Sequence, residues 1–223
     1  MGNKKQFVVI GLGRFGITMA KTLYSLGHDV LALDNDEDKV QEIADYVTHS
    51  AQVDATDENA LKSLGIRNFD VAVVTIGGNI QGSVMATLLV KELGIEYIVA
   101  KAHNDLHAKV LNKIGADRVV LPEKDMGIRV AHNLVSASIL DYIELSPDHS
   151  IMELKVLKEW VGKNLTELGL RSVHNINAIA IKRENNINIS PINKESLRKD
   201  DIIIAIGYNE DLKKLEELVI NEK

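Results

Sequence analysis

Six residues near the start of the sequence, Gly11-Leu12-Gly13-Arg14-Phe15-Gly16, have the types and spacing that suit a diphosphate. In a G-x-G-x-x-G loop the first glycine permits a tight turn. The second lets the backbone approach the ligand, and the third lets a helix pack closely on a strand. An apolar run over 7–10 precedes the loop and an amphipathic pattern follows it, so the helix amides would face negative charge. Asp34 ends a second apolar run eighteen positions beyond Gly16. An acid there accepts hydrogen bonds from ribose hydroxyls and repels a 2′-phosphate, which disfavours NADP. The competing reading of Asp34 is the solvated end of a strand. Asp54 and Gly77-Gly78-Asn79 follow the third and fourth apolar runs, where they would wall the adenosine. Asp54 suits a turn or a helix cap equally well. Arg14 adds a fixed cation and a planar donor fork beside the phosphates. A first helical turn already carries the positive end of the dipole, so an arginine there is opposed until a ligand brings negative charge.

Such a site requires strands and helices in alternation. β-branched runs at 7–10, 30–33, 49–53, 71–76, 98–101 and 119–121 are separated by amphipathic helix patterns. They predict a Rossmann-like, doubly wound parallel sheet of α/β class. Gly27, Gly65, Gly94 and Gly115 each stand where a helix wants a left-handed C-terminal cap. Next comes a long helix pattern over 125–143 with apolar residues on more than one face. It calls for a second packing partner, either another subunit or the interior of a larger monomer. Ser146-Pro147-Asp148 breaks that pattern, predicting a domain boundary between 145 and 146. The remainder, 146–223, reads as a small α+β lobe. Its strands are expected at 152–156, 178–182, 187–190 and 202–207, with helices near 164–170 and 210–219.

Composition removes several classes of function. The 223 residues carry a formal charge of −6, which argues against a nucleic-acid partner, since phosphate-backbone binding needs a basic face. Cysteine is absent, which excludes disulfides, thiolate metal sites and a cysteine nucleophile. No apolar run approaches the ~20 residues needed to span a bilayer, and the first residues lack a signal-peptide core, so the cytoplasm is the expected compartment. An NAD-dependent oxidoreductase would use the same glycine loop, but the seven histidines scatter and the final lobe supplies no evident proton donor. His103 and His107 have helical i,i+4 spacing without the acid of a zinc hydrolase, and read as an exposed helix face. A redox-sensing transcription factor would need a basic helix-turn-helix, for which no segment qualifies.

The stretch from Phe7 to Gly16, the run Gly65-Ile66-Arg67-Asn68-Phe69, the segment Gly115-Ala116-Asp117-Arg118 and above all Pro122-Glu123-Lys124-Asp125-Met126-Gly127 resemble the KtrA/TrkA family. These are cytosolic RCK (regulator of potassium conductance) proteins, and the KtrA branch is the nearest in pattern. Leu197-Arg198-Lys199-Asp200-Asp201 resembles part of the family's C-terminal lobe. The resemblance implies a non-enzymatic regulatory subunit with an RCK N-lobe over 1–145 and a C-lobe over 146–223. It implies a homodimer assembled into an octameric ring beneath a KtrB/TrkH-like membrane potassium channel subunit. ATP and ADP would compete for the Rossmann site, with NAD or NADH as the alternative occupant. Arg14 would contact phosphates, Asp34 ribose, and Glu123 a divalent cation, Mg or Ca, between dimer-related nucleotides. Read alone, Glu123 is an acid favoured at a helix N-terminus. Cyclic di-AMP would bind between paired C-lobes at Arg171, His174, Asn175, Ile176 and Pro191.

Overall fold

The computed structural model describes residues 4–135, 139–184, 186–189 and 195–221. The chain divides into two compact units, Met1–Pro122 and Glu123–Lys223.

The first unit alternates β1 (Gln6–Ile10), α1 (Arg14–Ser25), β2 (Asp29–Asp34), α2 (Glu37–Ile43), β3 (His49–Gln52) and α3 (Glu58–Ser63). It continues through β4 (Val71–Val74), α4 (Ile80–Glu92), β5 (Tyr97–Lys101), α5 (Asp105–Lys113) and β6 (Arg118–Val120). The strands form one parallel sheet in the order β3-β2-β1-β4-β5-β6. Both faces of the central strands β2, β1 and β4 are buried, which is why they read as near-continuous apolar runs. Alternation along β1 still sorts the two faces. Val8 and Ile10 pack with Leu61 of α3, Ala86 and Val90 of α4 and Leu111 of α5. Val9 packs with Ala20 of α1 and Val40 and Ile43 of α2. Strand order reverses between β1 and β4, and the crevice at the carboxyl edge there is where ligands bind in open α/β sheets. Gly27, Gly65, Gly94 and Gly115 all have φ between +67° and +104°, as left-handed helix caps require.

The second unit is organised by β7 (Ile139–Ser146), β8 (His149–Lys155), β9 (Asn177–Arg183), β10 (Asn186–Ile189) and β11 (Ile202–Tyr208), with α6 (Pro122–Val135), α7 (Leu165–Leu168) and α8 (Asn209–Asn221). Its antiparallel sheet runs β10-β9-β11-β8-β7. Met152, Leu154, Ile181, Ile203 and Ala205 from the sheet bury against Leu212 and Leu215 of α8. A charged network lies beside this core. Asp201, 1% exposed, accepts hydrogen bonds from Arg183 Nε at 2.8 Å, Arg183 Nη2 at 2.7 Å and the Arg198 amide at 2.8 Å. Burial opposes the Asp201 charge, but the Arg183 guanidinium and the Arg198 amide together hold its carboxyl below the usual range. Its hydrogen bond to Asp201, helped by Glu195, raises the Arg183 pKa in turn.

The structure corrects the long helix. α6 ends at Val135, and 139–146 form β7, paired antiparallel with β8 through Tyr142↔Met152 and Ile143↔Ile151. Apolar residues at 139, 140 and 143 satisfy a helical stripe, but pairing with β8 across the tight Pro147-Asp148 turn overrides that local pattern. β7 pairs into the second sheet, so 139–146 fall with the second unit rather than before a boundary at 145/146; the compact units divide between Pro122 and Glu123. The shorter helix keeps the apolar surface that called for a partner. Met126, Ile128, Val130 and Leu134 are 40–80% exposed.

Candidate functional site

The glycine loop links β1 to α1 at the switch point. Gly11 has φ +98°, and a Cβ there would stand 2.9 Å from the Ile76 amide nitrogen. A Cβ on Gly16 would fall on the Gly11 carbonyl oxygen and 2.6 Å from Thr75 Oγ1. A Cβ on Gly13 would meet nothing within 4 Å, so the space on that side of the loop is open. Gly11 and Gly16 thus stand where a side chain has no room, as a tight turn and a close helix approach require. Gly13 is also the N-cap of α1 and offers no side-chain cap, whereas Asp36, Asp57, Asn79 and Asn104 cap α2, α3, α4 and α5. The first amides of α1 therefore have no side-chain acceptor at the N-cap, a suitable end for an anion. Arg14, exposed, opens that helix, and Phe15 follows half-buried.

Asp34 is not a solvated strand end. It is 9% exposed, and its carboxylate accepts from the Leu12 amide at Oδ2 and from the Asp36 amide at Oδ1 (3.0 Å). Lys39 Nζ stands 3.5 Å from Asp34 Oδ1 and 3.4 Å from Asp36 Oδ2. Asp54 is exposed, and its Oδ1 accepts from the Thr56 hydroxyl at 2.7 Å and the Thr56 amide at 2.9 Å. The bond from the Thr56 hydroxyl, then that from its amide, lower the Asp54 pKa. Its turn role is thus occupied. Gly77 and Gly78 are exposed in the loop after β4, and Asn79 Oδ1 accepts from the Gly82 amide at 2.9 Å.

Three further residues belong to this edge. Thr75, 4% exposed, donates its hydroxyl to the Gly11 carbonyl, and more distantly to that of Ile10 at 3.2 Å. Lys101, ending β5, places Nζ 5.9 Å from the Phe15 ring centroid and 3.8 Å from where a Gly77 Cβ would lie. Lys39 reaches Asp34 from α2. Thr75 is a hydroxyl inside an apolar strand run and Lys101 a cation closing one, while Lys39, on α2, carries no such signal. The structure joins Thr75 to Gly11 and Asp34 to Leu12 by direct hydrogen bonds, leaves no room at Gly16 for a side chain beside Thr75, and sets Lys101 near Phe15 and Gly77. Among the described residues Asp54 makes no hydrogen bond or ion pair to that group.

Glu123 stands exposed in the first turn of α6 with Asp125. Within the second unit an open groove of about 520 Å³ is lined by Arg171 and Ile176, together with Leu165, Gly169 and Ala178. The Ile176 side chain belongs mostly to the core, at 0% exposure. Asn175 has φ +55°, and its Nδ2 donates to Asp211 Oδ2 of α8 at 3.1 Å, so its amide is already engaged. His174 is half-buried and is not among the groove's lining residues. Pro191 lies outside the described residues. The structure also corrects the histidine pair. His103 is exposed, but His107 is 3% exposed, and its Nδ1 accepts from the His103 amide at 3.2 Å. Burial, then the neighbouring His103, push the His107 pKa down.

Residues 7–122 match the TrkA-N domain family, and residues 151–220 match the TrkA-C domain family. The chain is 48% identical to the Ktr system potassium uptake protein C of Bacillus subtilis (strain 168), over 99% of this chain and 100% of that protein. It is 46% identical to the Ktr system potassium uptake protein A of the same organism, over 95% of this chain and 96% of that one. Among solved structures, the RCK domain of GsuK shares the fold. It has a TM-score of 0.69 at 18% identity, covering 98% of this chain and 48% of that chain. The GsuK channel bound to NAD superposes with a TM-score of 0.67 at 18% identity, over 98% of this chain and 40% of that one. The two matched domains and the near full-length identity establish that the chain belongs to the KtrA/TrkA family of RCK potassium uptake proteins.

Proposed function

We propose that this chain is a regulatory subunit that gates a KtrB/TrkH-like membrane potassium channel or transporter subunit, responding to a nucleotide and catalysing nothing. The observation that carries the reading is the glycine loop. Its backbone is shaped for a diphosphate, its helix N-cap is unfilled by a side chain, and Arg14 stands at the first helical position. A cation at that dipole end is favourable only opposite negative charge. Lys101 adds a second cation beside Phe15. ATP and ADP are the proposed ligands, differing in charge where these cations lie, with NAD or NADH the alternative occupant.

A divalent cation, Mg or Ca, is proposed at Glu123. Among the described residues no three His, Asp or Glu side chains gather to hold a metal. Further oxygen ligands would come from the nucleotide phosphates and a second subunit, in keeping with a hard cation's preference for oxygen. The exposed apolar residues of α6, and Leu106 and Val110 of α5 with Ile80 and Met85 of α4, are proposed as contacts of a dimer and an octameric ring. Cyclic di-AMP is proposed for the groove at Arg171 and Ile176 between paired C-lobes, with His174, Asn175 and Pro191 near it. Among the described residues no helix is long and apolar enough to cross a membrane. Placement at the cytoplasmic face is therefore proposed to come through the membrane subunit.

Native mass spectrometry of the purified protein tests the reading, because it reports ring size and bound nucleotide together. The expected result is an octamer carrying adenine nucleotide. A monomer that takes up neither ATP, ADP nor NAD at millimolar concentration contradicts it.

A further inference from the structure

The peptide joining Gly11 to Leu12 is held at both ends. Its carbonyl accepts from the buried Thr75 hydroxyl, and its N–H, on Leu12, donates to Asp34 Oδ2. Thr75 directly follows β4 and Asp34 ends β2, the strands on either side of β1. In a trans peptide the C=O and N–H point in opposite directions, so two partners on opposite sides fix the rotation of the whole plane. That plane leads directly into Gly13 and the first amides of α1.

We propose that Thr75 is a positioning residue for the diphosphate loop, acting on the same peptide plane that Asp34 holds from the other side. Three observations converge on it. The hydroxyl is buried, so without it the Gly11 carbonyl loses a partner where water is largely excluded. The hydroxyl also fills the space that Gly16 leaves, since a Cβ there would stand 2.6 Å from Thr75 Oγ1. Finally, backbone bonds already pin the strand ends around it: the Thr75 amide to the Ile10 carbonyl, and the Gly11 amide to the Leu33 carbonyl, each at 2.7 Å. Both of those bonds hold the Ile10–Gly11 peptide, and the hydroxyl adds a hold on the next one, Gly11–Leu12. The inference rests on the nucleotide reading above and deepens it. The acid that would receive ribose hydroxyls also holds this peptide at its other end, and its second oxygen is fixed independently by the Asp36 amide and Lys39, so loss of the Thr75 hydroxyl falls on the loop and not on that acid.

Calorimetric titration of the full chain with adenosine and with ADP tests this in Thr75→Val, Thr75→Ser and unmutated protein. Valine keeps the shape and removes the hydroxyl; serine keeps the hydroxyl. Thr75→Val should lose about tenfold in ADP affinity, equivalent to ~1.4 kcal/mol, while adenosine affinity stays within about twofold. Thr75→Ser should bind both ligands nearly as the unmutated chain does. Thr75→Ala is the second hydroxyl-free variant, read in the same way if valine prevents folding. Unchanged ADP affinity in a folded hydroxyl-free variant overturns the proposal. So does an equal loss for adenosine and ADP, which would make Thr75 a residue of the fold alone. If the unmutated chain does not bind ADP, the nucleotide reading itself has failed and this inference falls with it, before any substitution is made.

Discussion

The two units of this chain are held in shape in different ways. At the carboxyl edge of the parallel sheet, the shape of the site is made by backbone, and glycine is required where a Cβ would meet Ile76, Gly11 and Thr75. The antiparallel unit is tied together instead by side chains bonded to one another, away from its groove: Arg183 with Asp201 and Glu195, Asn175 with Asp211, Tyr142 with Ser150 and Asn209. A backbone-built site fixes residue types at fixed spacing, so it leaves a motif in the sequence. A unit tied by paired side chains leaves none, because the pairs are distant in sequence. Asn175 and Asp211, for example, are 36 residues apart.

Substitutions can break this contrast. The largest expected effect is Gly16→Ala, where the new Cβ meets the Gly11 backbone, which cannot yield as a flexible side chain would. A loss of about 3 kcal/mol in stability is expected, with nucleotide binding abolished. Denaturant unfolding and ADP titration measure both, and an unchanged midpoint would show that the loop relaxes freely.

Asp201→Asn comes next. It leaves Arg183 without its main carboxylate, and because that guanidinium is partly exposed a cost of about 2–3 kcal/mol is expected rather than the full penalty of a buried charge. The loss should appear in the unfolding of the second unit, with ADP affinity in the first unaffected. The sign with pH follows from the depressed Asp201 pKa. The contribution is present above the unfolded aspartate value near ~3.9 and is lost as pH falls through the lower folded value. The unmutated chain should therefore lose stability in that acid window more steeply than Asp201→Asn does. Parallel acid profiles would remove the carboxylate from the account.

Arg14→Ala should weaken ATP more than NAD, by about 1.5–2 kcal/mol, the low end for a charge-assisted bond because the side chain is exposed. Equal losses for both ligands in calorimetry would place Arg14 away from the terminal phosphate. Glu123→Gln should have the smallest effect on nucleotide affinity itself, while removing its enhancement by Mg or Ca. Retained cation dependence would move the metal elsewhere.

Much of the first unit was legible for the reason this contrast gives. Apolar runs bounded by Gly27, Gly65, Gly94 and Gly115 marked its strands and helices, and β1 to β6 lie within one or two residues of those runs. Gly11, Gly13 and Gly16 announced the loop. The bond from the Leu12 amide to Asp34 was not legible, because it depends on the loop's curvature rather than on either residue type. Nor was the burial of His107, whose helical spacing from His103 says nothing of which face meets the sheet. In the second unit β7 was hidden because its apolar spacing satisfies both periods, and only pairing with β8 decides between them. The candidate residues at Arg171 and Asn175 came from resemblance alone, and the structure sends the Asn175 amide to Asp211.

The central claim is that nucleotide identity at the glycine loop sets the state of a potassium gate. A ligand shifts a conformational equilibrium only by its differential affinity, and a tenfold preference per site is worth about 1.4 kcal/mol, multiplied over the sites of a ring. Potassium flux through the complex reconstituted with its membrane subunit, measured with ATP and then ADP in place, tests this directly. The account predicts different flux with the two nucleotides, and a smaller difference in Arg14→Ala. Equal flux with ATP and ADP in the unmutated protein would contradict it and leave the nucleotide as a static part of the scaffold.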